Sequence, residues 1–261
     1  MVEPAIIYED NHLLVVIKPQ NVPTVADSSH DQSLQEALKD YTHGFVGIVH
    51  RLDRVTGGVM VFAKTSKAAA RLTEQIQNGT FKKTYYAIVQ GVPKQRTATL
   101  VNWLAKDEIH NTVAVVPQST TGAKRAELTY QTVTTVAGDT LVTVELATGR
   151  SHQIRVQMKH IGNPIVGDAR YGGTRTGVKD IALWAYQLEF DHPVTKDRLK
   201  FIVNPPEDGT WAKFDFRRKH QWKFLPYPTF ICPLPSTNPW ISLGITGKIT
   251  KPKSKRIGMP W

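Results

Sequence analysis

The densest chemical signal in the chain is His50-Arg51-Leu52-Asp53-Arg54, one carboxylate with three basic side chains within three residues of it. Nearby cations favour the ionised form of a carboxylic acid, and an ionised aspartate can act as a nucleophile or as a base. An aspartate among arginines in a polar loop can equally form a structural ion pair, so these five residues alone leave both readings open. Competing chemistries lack their residues: the chain has no GxGxxG, no GxxxxGK[ST], no HExxH and no GxSxG, which removes the usual support for nucleotide-dependent, zinc-hydrolase and serine-hydrolase activity. With Cys232 as the single cysteine, neither an intrachain disulfide nor a zinc site built on two or more thiolates is possible.

The elements that must hold these residues follow from periodicity. Residues 6–17 read as two short strands around Asp10-Asn11, with Lys18-Pro19 stopping the second. A helix is predicted over 32–41, capped by Asp31 or Ser33, and another over 67–77, capped by Ser66 and ended by Asn78-Gly79. The apolar runs 45–49 and 58–64 flank the polar loop that carries Asp53. In the strand 83–89, alternation puts Tyr85, Ala87 and Val89 on one face and Tyr86 and Ile88 on the other, so only one of the two tyrosines can face a given cleft. Residues 127–136 and 140–146 read as a hairpin around Gly138-Asp139. The spacing predicts a helix over 151–161, with Ile154, Met158 and Ile161 as its apolar stripe and His152, Arg155 and Lys159 on another face. Strands and helices without strict alternation indicate an α+β protein rather than a doubly wound one.

The length of 261 residues suffices for one large domain with a substantial core, and 41% hydrophobic residues is ordinary globular composition. No apolar run reaches the ~20 residues of a membrane crossing, and no secretory signal opens the chain, so the cytoplasm is the expected compartment. The net charge of +11 is unevenly placed: residues 216–261 hold nine of the 33 Lys and Arg and none of the 22 Asp and Glu, leaving only +2 on residues 1–215. The polyanion signal therefore belongs to this C-terminal extension, which also holds seven of the 16 prolines and so resists continuous helix or central strand. Its Trp222, Phe224, Tyr227, Phe230, Trp240 and Trp261 could stack on bases while Arg217, Arg218, Lys219, Lys223 and Lys251 meet phosphates; a merely solvated extension is the plainer reading.

Four ordered blocks carry a family resemblance. His50-Arg51-Leu52-Asp53-Arg54-Val55-Thr56-Gly57-Gly58 resembles the HRLDxxTSG motif of RluA-type pseudouridine synthases, with Gly57 where that family usually has Ser, a departure expected to fall in a turn. Residues 7–10 through Lys18-Pro19 are similar to the family's first strands, and 83–89 to its K-x-Y-x-A-x-V strand. Residues 149–156, followed by 161–168 and Tyr171-Gly172, are similar to its third motif. Ordered matches run from about residue 5 to about residue 206.

The resemblance implies a mixed, largely antiparallel central sheet flanked by helices, with the active-site cleft across it. It implies isomerisation of uridine to pseudouridine in ribosomal or transfer RNA: the N1–C1′ bond breaks, the base rotates, and C5 joins C1′. That reaction is redox-neutral and demands no cofactor and no metal. By resemblance Asp53 is the catalytic aspartate, attacking the sugar or abstracting one of its protons; Tyr85 stacks on the target base; and Arg155 pairs with the Asp53 carboxylate. His50, Arg51, Arg54, Arg150, His152 and Lys159 are the expected RNA contacts, His50 and Arg51 also as fillers of the space left by a flipped base. The expected organisation is a catalytic domain over 1–215, a basic extension over 216–261, and a monomer without membrane attachment. The first matching strand begins about six residues from the N-terminus, which leaves no room for the S4-type RNA-binding module that the family often carries. Two other readings compete: an idle RNA-binding module keeping the fold, which loss of Asp53, Tyr85 or Arg155 would have favoured, and a glycosidase, which would want a second carboxylate across the scissile bond.

Overall fold

The computed structural model describes residues 2–173, 177–216 and 229–232, the last four by their backbone. Among them, twelve strands form one sheet and three helices pack against it. The chain opens with the antiparallel pair β1 (Ala5–Glu9) and β2 (Leu13–Lys18), whose turn is set by Asp10 Oδ1 accepting the His12 and Leu13 amides at 2.6 and 2.7 Å. Helix α1 (Leu34–Thr42) follows, then β3 (Gly47–Ile48), β4 (Gly57–Ala63) and helix α2 (Ser66–Gln77). Strands β5 (Lys82–Gln90), β6 (Thr97–Asp107), β7 (Thr112–Val116), β8 (Lys124–Val136) and β9 (Asp139–Leu146) lead to helix α3 (Gln153–His160), and β10 (Leu183–Asp191), β11 (Arg198–Val203) and β12 (Thr229–Cys232) close the described chain. The main path across the sheet is β1-β2-β4-β10-β5-β9-β8-β6-β7, with β3 on β4, β11 on β10 and β12 on β11. All pairings are antiparallel except β4 with β10 and β11 with β12, which makes this the mixed, largely antiparallel α+β sheet expected.

Local chemistry sets the elements. β2 (LLVVIK) and β4 (GGVMVFA) are buried at every position, as strands covered on both faces must be. Ser33, one of two expected caps, closes a capping box on α1: its hydroxyl accepts the Glu36 amide, and the Glu36 carboxylate accepts the Ser33 amide at 2.8 Å. For α2 the cap is Thr65 rather than Ser66. Thr65 has extended backbone and its hydroxyl accepts the Ala68 amide at 3.1 Å, so Ser66 is already inside the helix. The β8–β9 turn also lies one residue earlier than expected, at Ala137-Gly138. Both have positive φ, 50° and 80°, as a two-residue hairpin turn requires, while Asp139 is a buried strand residue opposite Val136. The one-sided stripe predicted for α3 is not what forms. β6 and β7 fold over the helix, and every residue from Gln153 to Met158 is buried, Arg155 and Gln157 included.

In the predicted extension, Phe216 is buried against Tyr86 and Trp211, and the backbone of Thr229–Cys232 pairs in parallel with β11, extending the sheet at its edge. The basic residues Arg217, Arg218, Lys219, Lys223 and Lys251 and the aromatics Trp222, Phe224, Tyr227, Trp240 and Trp261 lie outside the described residues, as does the side chain of Phe230.

Gly57 is not in a turn: it is the first residue of β4, where the short parallel contact with β10 sets Gly57 against Trp184 and Gly58 against Ala185. A Cβ on Gly57 would lie 2.4 Å from Trp184 Cζ3, so the indole ring occupies the space a serine would need. Gly58 is more constrained still. Its φ is +121° and an added Cβ would meet the backbone of Ala185 at 2.2 Å, where nothing flexible can yield. Gly58→Ala is therefore expected to destabilise the protein by roughly 3 kcal/mol or more, whereas Gly79→Ala, at φ +76° with nothing within 4 Å, should cost only about 1–2 kcal/mol. Urea denaturation midpoints of the two variants check the contrast; equal losses would refute it.

Candidate active site

A cavity of about 650 Å³ opens on the face of the sheet, and Asp53 lies in it. The aspartate sits on the loop between β3 and β4, and every backbone carbonyl from Leu52 to Thr56 is taken. Thr24 Oγ1 donates to Leu52 O at 2.9 Å, the Thr56 amide to Asp53 O at 2.9 Å, and Gln20 Nε2 to Val55 O at 3.0 Å. Lys18 Nζ spends its three protons on Pro19 O, Arg54 O and Thr56 O at 2.9, 2.9 and 2.7 Å. Lys18 is 0% exposed; burial pushes its amine down to about 7, although the Asp53 charge works the other way. The lysine that ends β2 is thus a clamp on the Asp53 loop, a role its place before Pro19 did not reveal.

Arg155 reaches Asp53 from α3. Its Nε and Nη2 form a two-pronged bond to the Asp168 carboxylate, both contacts at 2.8 Å, and its Nη1 lies 3.3 Å from Asp53 Oδ2. Burial opposes the guanidinium charge, but the hydrogen bonds and attraction of Asp168, and then of Asp53, outweigh it and raise the arginine further into its charged range. α3 starts without a side-chain cap, and the turn before it is stapled by Gln153, whose Oε1 accepts from Thr148 Oγ1 at 2.8 Å and from the Arg150 amide at 3.0 Å. Tyr85 projects into the cavity while Tyr86 packs on Tyr186 and Phe216 on the other face, the split that strand alternation predicts. Burial, then the Asp53 charge, raises the Tyr85 phenol well above its usual range, so it enters the site as a neutral ring with its proton.

The other sequence candidates separate. Arg51, Arg150 and His152 line the cavity, Arg150 tethered by its Nε to Arg125 O at 3.0 Å. Arg54 is already partnered, bridging Asp27, Asp31 and Ser29 at the cavity edge. Lys159 is exposed and does not line the cavity: the helix face it was expected to share with His152 and Arg155 turns outward one turn beyond Arg155. His50 also lines the cavity but is largely buried, with its Nε2 accepting the Val61 amide of β4 at 3.3 Å and its ring 5.7 Å from Phe81. Sequence reasoning assigned no role to Lys83, Lys106 and Asn111, which line the cavity, or to Asp168 and Tyr171, which stand behind Arg155. Lys83 could have been found from alternation, since it shares the Tyr85 face; burial lowers its amine, and no carboxylate pairs with it among the described residues. Among those residues, no cluster of His, Cys, Asp and Glu could hold a metal ion, and no helix is long and apolar enough to cross a membrane.

Comparison with known proteins gives the chain a family. The family model described as RNA pseudouridylate synthase matches residues 12–160. An uncharacterized RNA pseudouridine synthase of Bacillus subtilis (strain 168), YjbO, is 34% identical over 210 residues, covering 78% of this chain and 73% of the relative. The ribosomal large subunit pseudouridine synthase D of Pseudomonas aeruginosa is 36% identical over 230 residues, covering 80% of this chain and 71% of the relative. In fold, the chain is similar to human RNA pseudouridylate synthase domain containing 1, with a TM-score of 0.65 at 22% identity over 80% of this chain and 86% of that one. The chain belongs to the RNA pseudouridylate synthase family, in its RluA-type branch. It is an isomerase of that class, and RNA uridine is its substrate.

His50 gives the site a pH signature. Burial, helped by the nearby Lys83 charge, pushes its imidazole from 6.5 down to about 3, so the folded protein holds it neutral where the unfolded chain protonates it. Between those values the unfolded state binds more protons; the contribution is therefore intact above pH 6.5 and is lost as pH falls toward 3, up to about 5 kcal/mol in all. His50→Gln, which keeps an acceptor for Val61 and cannot titrate, should lose a few kcal/mol less stability between pH 7 and pH 4 than the wild type. Urea unfolding at the two pH values checks this; parallel losses would refute it.

Proposed function

We propose that Asp53 is the carboxylate that acts on the target uridine, that the nucleotide is flipped out of its RNA into the cavity, and that Tyr85 stacks on the displaced base. One observation carries this reading: a carboxylate braced by a buried arginine lies in the same cavity as a buried neutral tyrosine. A stacked uridine cannot present C1′ and C5 to a side chain. Extrusion costs a few kcal/mol, least in a loop or single strand, and an aromatic platform offsets part of it. Asp53 then attacks the sugar or takes one of its protons as the N1–C1′ electron pair leaves with the base. The base rotates and C5 bonds to C1′, either as the Asp53–C1′ bond breaks and its electron pair returns to the carboxylate or as Asp53 gives the sugar proton back; the C5 proton is then lost and N1 gains one, so no electrons enter or leave. Arg155 keeps the carboxylate oriented, and Lys83, which has no carboxylate partner among the described residues, is suited with Arg51 and Arg150 to phosphates beside the target. The protein acts as a monomer on ribosomal or transfer RNA; the name of the Pseudomonas relative favours ribosomal RNA.

Asp53→Asn should abolish tritium release from RNA labelled at uridine C5, by at least about 10³-fold, while leaving RNA affinity within a fewfold. Turnover equal to wild type would remove Asp53 from the chemistry, and an inactive wild type on total RNA would favour the idle-module reading. Mapping pseudouridines with and without the protein identifies the RNA.

The basic extension is proposed to add sequence-independent affinity. Truncation after Cys232 keeps β12 and removes five Lys or Arg. It should weaken RNA binding and flatten the slope of log affinity against log salt by up to about 3.5. An unchanged slope would show that these residues make no phosphate contact.

A further inference from the structure

Behind Asp53 runs a chain of hydrogen bonds that the reaction as described does not use. The Val113 amide of β7 donates to the Tyr171 hydroxyl oxygen at 2.9 Å, and that hydroxyl lies 2.7 Å from His152 Nδ1. His152 Nε2 in turn lies 4.0 Å from Asp53 Oδ2, the oxygen that Arg155 already holds. We propose that Tyr171 and His152 are positioning residues that fix which oxygen of Asp53 reacts: the His152 Nε2–H and the Arg155 Nη1–H both cover Oδ2, leaving Oδ1 to meet the ribose. This rests on the reading of Asp53 given above.

The tautomer follows from proton accounting. With its lone pair accepting from Val113, the Tyr171 oxygen has its own hydrogen to place, and His152 Nδ1 is the acceptor at hand. The opposite tautomer would aim two donors at one phenol oxygen and strand the hydroxyl hydrogen of a residue only 4% exposed. It would also turn the Nε2 lone pair toward a carboxylate. Tyr171 is itself held, with the Arg155 guanidinium 5.0 Å above its ring, and His152 meets that ring edge-on at 5.7 Å. A separation of 4.0 Å exceeds hydrogen-bond range, and it is a small carboxylate rotation from closing when substrate draws Oδ1 forward. Oδ1 has no hydrogen-bond partner among the described residues. From there it can bond to C1′ while the C1′–N1 pair leaves with the base, or take a sugar proton as that pair leaves.

The groups around His152 also give the arrangement a pH limit. Asp53 and Asp168 favour its protonation, burial and the charges of Arg155 and Arg170 oppose it, and burial dominates, lowering its ordinary value. A second proton would have to go on Nδ1 and would break the bond from Tyr171. Activity should then fall on the acid side as His152 protonates.

Tyr171→Phe keeps the ring beneath Arg155 and deletes only the hydroxyl. It should lower kcat for a uridine-containing RNA about 10- to 100-fold with KM changed less than twofold, and His152→Phe should do the same. The double variant should fall no further than the worse single one, because both break one chain. His152→Gln, whose amide can stand in for Nε2–H, should recover part of kcat and lose the acid limb of the kcat profile. Unchanged kcat in both single variants, additive losses, or a rise in KM with kcat intact would overturn the proposal, the last making His152 an RNA contact. Asp53→Asn assayed beside them separates the two ideas: if that variant stays active, the reading of Asp53 fails, whereas if it is dead while Tyr171→Phe matches wild type, only the present inference fails.

Discussion

The site depends on one guanidinium held in a single orientation. Arg155 lies in a helix buried nearly all round, and a lone cation there would pay heavily for its lost hydration. The Asp168 carboxylate meets two of its nitrogens in the planar fork that only arginine offers, and the third is left aimed at Asp53. A lysine could neutralise Asp168 but could not fix the direction of a second bond. Removing Asp168 or Arg155 would strand a buried charge, the kind of loss that typically costs 3–5 kcal/mol. Stability and function are therefore coupled here: the same bond that makes α3 tolerable in the interior makes Asp53 directional.

The opposite side of Asp53 is immobilised by different means. Its loop has no regular structure, yet Lys18, Gln20 and Thr24, all from the end of β2 and the segment after it, take the carbonyls that a helix or sheet would otherwise satisfy. A loop held this way behaves like part of the scaffold, which a reacting carboxylate needs, since displacement by about 1 Å can cost a hundredfold in rate. Gly58 completes the support: the close approach of β4 to β10 right after the loop is possible only without a side chain.

How much of this was legible in the sequence follows from the range of each interaction. Alternation in β5 separated Tyr85 from Tyr86 because period two is a local property that tertiary packing did not override. The capping box of α1 was readable for the same reason, while the α2 cap and the β8–β9 turn each slipped by one residue: Thr65 and Ser66 are adjacent hydroxyl residues that can both cap, and Gly138 can take either place of a two-residue turn, with nothing in the type of Ala137 to mark its positive φ. The family motifs pointed to Asp53, Tyr85 and Arg155, which the fold brings into one cavity from three separate stretches of chain. What the sequence hid were second partners: Lys18 on carbonyls 36 and 38 residues away, and Tyr171 on an amide 58 residues away. Such bonds leave no spacing to read. Charge near a motif is visible in sequence, whereas the acidic neighbours Asp27 and Asp31 that hold Arg54, and the outward helix face that carries Lys159, appear only after folding.

Sorting the basic groups by partner shows why a body with a charge of only +2 can still handle a polyanion. Arg54 is spent on two carboxylates, Arg155 on two more, and Arg150 on a backbone carbonyl, while Lys106 is paired with Glu108. Among the described residues this leaves Lys83, Arg51 and Arg150 in the cavity without a carboxylate, the first lying two residues before Tyr85 in sequence and the second two before Asp53. On the proposed reading of Asp53 and Tyr85, few free cations close to both would favour the nucleotide being modified over the rest of the strand. Long-range attraction, screened within about 8 Å at physiological salt, then falls to charges outside the cavity. A division of this kind separates selection at the target from retention on the RNA, so either could vary between relatives without disturbing the Asp53–Arg155 geometry.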